Sequence, residues 1–321
     1  MKTRRAGFTL SATLFWLLAL GAVALPVASD NVLWLDLGVR TFYYLLLVIG
    51  WNLLAGFTGQ FSFGHVGLAA IGGYASALSV QYFALPIPFG MIVGTLAAGL
   101  AGCILGVVSI RIRGVYLVMT TFALMRVVQI VLYAEQETTG GASGLVVPTL
   151  FHISEVKKFY CLGLGLTALL LLSQWLLLRS NAGGFLSAIR LDEEAARAIG
   201  INSRFWKIAI FTYSSAWAGM AGAFTAHYAG FLSPGLGSVT EMSLVLAMGT
   251  IGGLGSIVGP LLSTVSLQFL SDQLQAAGGL SALLFGIAML VVVVGFPEGI
   301  GGLVRRIDLK LRKRSGGGTP K

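Results

Sequence analysis

The chain has 321 residues, of which 56% are hydrophobic and 10% are charged, and its formal net charge at pH 7 is +9. Soluble domains carry roughly 25% charged residues, so this composition excludes a water-soluble globular protein and indicates a membrane protein. The positive charge does not indicate nucleic-acid binding. Most of the 21 basic residues lie in segments that flank apolar runs, as the positive-inside rule predicts for cytoplasmic loops.

Apolar runs recur along the chain, and many approach the roughly 20 residues that a helix needs to cross hydrocarbon. We therefore predict an all-α fold, a polytopic transmembrane bundle of about ten spans, in which residues 1–321 form a single membrane-spanning domain. The first run, 10–28, could be a cleaved signal peptide, but its length favours a retained span. The next six spans are predicted at 37–57, 65–83, 89–110, 115–133, 159–178 and 208–231.

After residue 240, glycines interrupt a long apolar stretch. We predict two short legs, 242–251 and 257–270, which break at Gly252–Gly255. A last span, 280–296, and a basic cytoplasmic tail, 303–321, follow. Two legs rather than one span keep this tail on the same side of the membrane as the N-terminus.

Segments 67–78 and 246–262 are both apolar and interrupted by glycine pairs, which suggests a weak internal repeat. Broken helices in corresponding halves of a transporter often line its translocation path. Glycine pairs also let unbroken membrane helices pack closely, so both interpretations remain open.

A charged segment, 179–207, separates two of the predicted spans and contains signals for one short helix. Asp192 can cap that helix, and Glu193 and Glu194 then lie in its first turn, where the helix dipole favours anions. Gly200 can adopt the left-handed conformation that ends a helix. We predict a short cytoplasmic helix with sharp ends.

This helix would carry a small apolar face formed by Ala195, Ala196 and Ile199. Such a face can fit a shallow groove on a partner protein, and arginines around it, including Arg197, can pair with acidic groups at the rim. A solvated loop helix without a partner is equally consistent with these residues.

Polar residues inside the predicted spans are candidates for a translocation path, because polar side chains at membrane depth usually face the bundle or a wet cavity. Arg126 could pair functionally, or its side chain could instead extend toward the membrane surface. We interpret His65 and His227 as hydrogen-bonded bundle residues rather than metal ligands, since no second ligand lies at helical spacing. The candidates for the path are Asn52, Gln60, Ser62, His65, Arg126 and Gln129.

Five motifs of this chain are informative when they are taken together. "EAARAIG" at 194–200 is similar to the E-A-A-x-x-x-G loop of ABC importer permeases. The other motifs, in chain order, are "GQFSFGHVGLAAIGGYASAL", "RIRGVYLVMTTFAL", "TGGASGL" and "GTIGGLGSIVGP". The set resembles the branched-chain amino acid ABC transporter permease family, in particular its LivM-like branch.

The resemblance implies a permease subunit of an ATP-driven importer in the bacterial inner membrane, with both termini cytoplasmic. The implied partners are two ATPase subunits that bind ATP and Mg²⁺, a second permease subunit, and an extracytoplasmic solute-binding protein. Residues 192–200 would be the coupling element that docks on the ATPase. This chain lacks the phosphate-binding G-x-x-x-x-G-K-[ST] motif, so no cofactor is expected in it.

The same resemblance places an outer loop containing Thr139, Gly140, Gly141 and Ser143 near the extracytoplasmic gate. The family often has Asp or Asn where this chain has Ser143. The solute therefore stays open between branched-chain amino acids and other small polar solutes such as urea or short amides.

Two other classes of function remain. An ATP-independent secondary transporter or channel would also explain glycine-broken spans, but it does not explain the E-A-A helix. An intramembrane enzyme has less support, because neither H-E-x-x-H nor G-x-S-x-G occurs in the sequence.

Overall fold

The computed structural model describes residues 20–26, 31–152, 154–275 and 286, and nearly all of this part is helical. The predicted first span lies mostly outside these residues, and the predicted last span and the basic tail lie outside them apart from Gly286. The helices are α1 Val32–Asn52, α2 His65–Phe83, α3 Ile87–Arg111, α4 Val115–Ala134, α5 Val156–Arg179, α6 Asn181–Leu191, α7 Glu193–Ala198, α8 Ser203–Ala229, α9 Val239–Gly252 and α10 Val258–Gln275.

Five helices of the described residues are long and apolar enough to cross a membrane: α1 with its π-helical continuation Leu53–Phe57, and α2, α3, α4 and α5. Their bounds agree with the predicted spans within a few residues, except that α1 begins five residues earlier than predicted. The structure thus confirms a helical membrane bundle, while the count of about ten spans stays a prediction.

Two boundaries differ more clearly from the predictions. α8 begins at Ser203 rather than at residue 208, because the Asn202 side chain accepts a hydrogen bond from the Phe205 amide and caps the helix before the apolar run starts. The charged segment contains two helices, α6 and α7, instead of one. Ser180 caps α6 by accepting a hydrogen bond from the Ala182 amide.

The centre of the bundle is formed by α2, α3 and α8, which pack through small residues. A methyl group placed on Gly72 would overlap the backbone of Gly219, and one placed on Gly222 would overlap the carbonyl oxygen of Ala69. In α2 the glycines therefore permit close helix packing in an unbroken helix. The interpretation of segment 67–78 as a broken helix is wrong.

The second glycine-rich segment is broken where the sequence predicts. α9 ends at Gly252 and α10 begins at Val258, and between them Gly253 has a φ of 92°, which glycine adopts without strain. The 14 residues of α9 span about 21 Å, less than the roughly 30 Å of bilayer hydrocarbon. α9 and α10 pack against each other and against α1.

The loops at the opposite end of the bundle from α6 and α7 form a small structured layer. A single helical turn, Gln136–Thr139, leads into strand β1, Leu145–Val146, which pairs antiparallel with strand β2, Phe231–Leu232. The Val147 amide also donates to the Gly230 carbonyl (2.9 Å). This layer joins the α4–α5 connection to the end of α8.

Candidate functional site

The predicted cap and stop of the short helix α7 are both confirmed. The Asp192 carboxylate accepts hydrogen bonds from the backbone amides of Glu194 (2.8 Å) and Ala195 (3.1 Å). At the other end, Gly200 has a φ of 87°, and the Ile201 amide donates to the carbonyl of Ala196 (3.0 Å). This pattern is a Schellman motif, which ends a helix abruptly.

The predicted three-residue apolar face is wrong in one member. Ala196 is only 2% exposed and packs inward against the bundle. Ala195 is exposed, and Ile199 is 75% exposed. At 100° per residue, the exposed positions 194, 198, 195 and 199 follow one another around one side of the helix, and positions 196 and 193 follow on the other side. The outward edge of α7 therefore consists of Glu194, Ala195, Ala198 and Ile199.

Glu193 points toward the membrane domain, although it belongs to α7. Its carboxylate accepts from the Lys207 ammonium (2.6 Å) and the Ser203 hydroxyl (3.1 Å), and it pairs with the Arg113 guanidinium (3.3 Å). Glu193 therefore ties α7 to the start of α8 and to the α3–α4 turn.

Opposing effects act on the pKa of this carboxyl group. Burial alone raises the pKa of Glu193, but the hydrogen bond and charge of Lys207, with Ser203 and Arg113, more than offset burial, so the pKa lies below its usual value. Because the pKa of Glu193 is lowered in the folded state, its contacts with Lys207 and Arg113 are present at neutral pH. They are lost only as the pH falls through this lowered pKa.

A second tie runs from the last turn of α6 to the break between α9 and α10. The Arg190 guanidinium donates to the carbonyl oxygen of Gly56, which lies in the π-helical end of α1. A methyl group on Gly255 would lie 2.9 Å from Arg190 Nη1, so the same guanidinium is close to the α9–α10 break. π-Helical turns occur frequently at functional sites.

The amide of Asn52 joins these two irregular segments. Its Oδ1 accepts from the Gly255 amide (3.0 Å), and its Nδ2 donates to the Ser256 carbonyl (2.7 Å). We call Arg190, Gly56, Asn52, Gly255 and Ser256 the joint. Asn52 was predicted to lie on the translocation path; the structure places it, buried, in this joint.

The other path candidates near α2 are all buried. Ser62 accepts from the Trp51 indole N–H through its carbonyl (2.8 Å). His65 Nε2 lies 2.7 Å from the Ser214 hydroxyl, which itself donates to the Gly50 carbonyl. We therefore assign the proton to His65 Nε2 as donor.

His227 is hydrogen-bonded to Ser76 (2.9 Å) and to the Pro148 carbonyl (2.8 Å). Both histidines, His65 and His227, are thus hydrogen-bonded within the bundle, as interpreted from the sequence. Within the described residues no group of three or more His, Cys, Asp or Glu side chains could hold a metal ion.

Arg126 and Gln129 lie on α4, where the Arg126 guanidinium donates to the Gln129 side-chain oxygen. Gln129 is buried, but Arg126 is exposed on the open face of α4, beside large apolar side chains. An arginine in the middle of a span is costly to expose to hydrocarbon. A protein partner on this face would remove that cost.

An apolar groove of about 280 Å³ runs along the same region, between α4 and α9. It is open on one side. Its walls are formed by Phe63, Val118, Met119, Phe122, Val239, Met242, Ser243 and Leu246.

The residues of the predicted outer loop form a compact turn. The Thr139 hydroxyl donates to the Leu132 carbonyl (2.8 Å) and accepts from the Gly141 amide (3.3 Å). A methyl group on Gly140 would overlap the Gly144 carbonyl. Ser143 is exposed on this turn. The structure therefore gives Thr139, Gly140 and Gly141 a structural role and leaves Ser143 accessible.

A network near the outer ends of α1 and α8 was missed from the sequence. Asp36 pairs with Arg40 (2.9 Å) and accepts from the Tyr228 hydroxyl, while Tyr44 donates to Glu241 (2.9 Å). Only the Asp36–Arg40 pair has a sequence signal, a spacing of four residues on one helix face.

The comparisons with known proteins agree with one another. A family model described as "Branched-chain amino acid transport system / permease component" matches residues 33–293. The chain is 31% identical over 305 residues to the "High-affinity branched-chain amino acid transport system permease protein LivM" of Escherichia coli (strain K12), covering 86% of this chain and 72% of that protein.

Two further relatives extend this similarity. The LivM protein of Salmonella typhimurium (strain LT2) is 31% identical over 321 residues, covering 91% of this chain and 75% of that protein. The permease protein LivH of Escherichia coli (strain K12) is 24% identical over 285 residues, covering 81% of this chain and 91% of that protein. No solved structure matches the chain.

Proposed function

The chain belongs to the permease-component family of branched-chain amino acid transport systems, and we propose that it is the membrane-spanning permease subunit of an ATP-driven importer for branched-chain amino acids. The observation that carries this proposal is that two short, surface-lying helices are tied to the bundle, α7 to α8 and the α3–α4 turn through Glu193, and α6 to the α9–α10 break through Arg190. An ATP-independent carrier or channel has no need for such a connection.

In this proposal, an ATPase subunit docks on the outward edge of α7, which presents Glu194, Ala195, Ala198 and Ile199. Motion of α7 reaches α8 and the α3–α4 turn through Glu193 and its contacts with Lys207 and Arg113. ATP and Mg²⁺ are bound by the ATPase subunits rather than by this chain.

Motion of the neighbouring helix α6 reaches the joint through Arg190. The guanidinium contacts Gly56 in the π-helical turn, and Asn52 links that turn to the α9–α10 break. A displacement of α6 would therefore shift the broken helices relative to α1, which exchanges an outward-open for an inward-open path. Arg190 and Asn52 are positioning residues in this mechanism.

The open face of α4 is proposed to meet a second permease subunit of the same family, as LivM and LivH are two permease proteins of this kind in one organism. The exposed guanidinium of Arg126 and the groove between α4 and α9 support this arrangement. The solute would pass between the two subunits along these side chains. The outer loop with Ser143 would face an extracytoplasmic binding protein, and both termini of the chain would lie in the cytoplasm.

Reconstitution tests the proposal. The chain, a paralogous permease subunit and the ATPase subunits are placed in liposomes with ATP inside and a leucine-loaded binding protein outside. We expect ATP-dependent accumulation of labelled leucine, isoleucine or valine, which stops when the ATPase phosphate-loop lysine is substituted. Uptake that proceeds without ATP, or a chain that co-purifies with no ATPase, would contradict the proposal.

The side of the membrane is checked separately with Glu194→Cys in spheroplasts, in a chain whose own cysteines, Cys103 and the exposed Cys161, are replaced by serine. The Glu194 side chain is 80% exposed, so a thiol at this position is open to reagents. We expect a membrane-impermeant maleimide to react only after the membrane is opened. Labelling of intact cells would place α7 outside, beyond the reach of an ATPase.

A further inference from the structure

A cavity of about 390 Å³ lies under the coupling helices, where α6 and α7 meet the α3–α4 turn and the segment before α2. Its volume falls within the range of roughly 300–1,000 Å³ that is typical of small-molecule sites. Val118 lines both this cavity and the apolar groove between α4 and α9. The cavity therefore lies at the coupling-helix end of the proposed solute route.

One wall of the cavity carries a buried acceptor with no partner. Gln60 is 4% exposed, and its Oε1 makes no hydrogen bond among the described residues. Its Nε2 donates to the Thr58 hydroxyl oxygen (3.1 Å). The Thr58 hydroxyl donates its proton to the Leu54 carbonyl, so its oxygen can only accept a hydrogen bond from Gln60. The atom of Gln60 that contacts Thr58 must therefore be the amide nitrogen, which fixes the orientation of the Gln60 side-chain amide. The unpartnered atom is therefore an oxygen, which requires a donor.

Several other lining residues are basic. Arg113, Arg190 and Lys207 all line the cavity, whereas Glu193 is its one acidic side chain. Lys207 is buried against Glu193, but the Arg113 side chain is 53% exposed and meets Glu193 at 3.3 Å through one nitrogen. A guanidinium has five donors, so Arg113 keeps donors available for a second carboxylate.

The lining also includes apolar side chains, among them Phe61, Ile112, Leu117 and Val118. The cavity thus offers an acceptor, a guanidinium and an apolar surface in one small volume. These are the groups that complement an ammonium, a carboxylate and an aliphatic side chain.

We propose that this cavity is a binding site for a zwitterionic aliphatic amino acid, in which Gln60 Oε1 accepts from the α-ammonium group and Arg113 binds the α-carboxylate. The inference rests on the proposed function and deepens it, because it places a solute site on this chain at the coupling-helix end of the path. Occupancy of the site would contact Arg113 and α6 directly, the same elements that carry the motion of the coupling segment.

The test is equilibrium binding of labelled leucine to the assembled permease and ATPase complex in nanodiscs, without a binding protein. Two analogues separate the contacts: 4-methylpentanoate lacks the ammonium group, and 3-methylbutylamine lacks the carboxylate. We expect Gln60→Met to weaken leucine binding about tenfold, because it removes a hydrogen bond to a charged group, which is the stronger kind. The same substitution should change the dissociation constant of 4-methylpentanoate by no more than about twofold, since this analogue has no ammonium group.

Arg113→Gln tests the other contact. It should weaken the binding of leucine and change the binding of 3-methylbutylamine, which has no carboxylate, by no more than about twofold. A merely structural role for either residue would weaken all three ligands together. Gln174→Met is the matched control, because Gln174 is also buried with an unpartnered amide but lies on α5, outside the cavity lining. This control should bind leucine like the unaltered chain.

The outcomes separate the two proposals. A complex that performs ATP-dependent uptake but binds no leucine, or binds it without sensitivity to Gln60→Met, overturns the site and leaves the proposed function intact. Competition by inorganic phosphate that Gln60→Met does not change would assign the cavity to anions such as lipid headgroups and overturn the inference. Leucine binding with the expected pattern in a complex that takes up no solute would support the site and contradict the importer.

Discussion

The centre of the bundle and the joint beneath α6 and α7 are held together by different sets of contacts. In the centre, α2 and α8 approach so closely that a methyl group on Gly222 would overlap the Ala69 carbonyl. In the joint, the backbones of Gly56 and Gly255 also approach closely, but side-chain hydrogen bonds add to that contact, as from Arg190 to Gly56 and between Asn52 and Gly255.

The difference indicates which part of the molecule moves. Backbones in van der Waals contact cannot slide past each other without collisions, because protein interiors are close-packed. The Arg190 side chain, by contrast, is exposed, so its hydrogen bond to Gly56 can be broken and remade. We infer that α2, α3 and α8 move as one body and that the joint changes shape. The predictions below test this contrast.

The largest effect is expected from Gly222→Ala. The added methyl group meets backbone atoms rather than a flexible side chain, so α2 and α8 must separate and lose their packing. We expect little or no monodisperse protein in detergent, measured by size-exclusion chromatography of a fluorescent fusion.

The matched control is Gly165→Ala on α5, where an added Cβ meets nothing within 4 Å. Alanine is a better helix former than glycine, so this variant should be as abundant as the unaltered chain or more so. Equal yields for the two variants would show that close packing does not hold the centre.

A smaller, functional effect is expected from Arg190→Lys. A lysine keeps the charge but lacks the planar fork, so the contact with the Gly56 carbonyl beside Gly255 is weakened. We expect normal yield and continued ATP hydrolysis, with about tenfold less leucine taken up per ATP.

Arg204→Lys is the control for this variant. Arg204 is an exposed arginine in the first turn of α8, and its exchange should leave the ratio of uptake to hydrolysis unchanged. An Arg190→Lys complex that stays fully coupled would show that the joint does not transmit motion from α6.

The same contrast explains how much the sequence could predict. The bounds of α2, the Asp192 cap and the Gly200 stop were predicted, because apolar runs, caps and terminating glycines act locally. The contacts within the joint could not be predicted, because Arg190 and Gly56 are 134 residues apart and no periodicity in the sequence connects them. Asn52 was predicted as a path candidate, and its contacts with Gly255 and Ser256, 203 and 204 positions away, were beyond the sequence for the same reason.

The sequence also could not predict which side chains of α7 face the bundle. Propensity predicts that residues 193–198 are helical, but it does not say which side faces the bundle. Ala196 faces inward because Glu193, one turn earlier on the same side, is fixed by Lys207, a contact across 14 residues. The proposed docking edge therefore depends on an ion pair, and only the structure reveals that pair.

The smallest effect is expected from Gly200→Ala. An added Cβ meets nothing within 4 Å, so the cost is confined to the left-handed φ of 87°, about 1 kcal/mol for a residue other than glycine. That strain should weaken the bond from the Ile201 amide to the Ala196 carbonyl. We expect hydrogen exchange at the Ile201 amide to become about fivefold faster, while coupled uptake changes less than in Arg190→Lys.

Gly200→Asn is the control, because asparagine tolerates this conformation better and should accelerate exchange less. If Gly200→Ala instead abolished uptake, transmission would depend on the end of α7 rather than on the joint, and the division into a rigid centre and a movable joint would have to be redrawn.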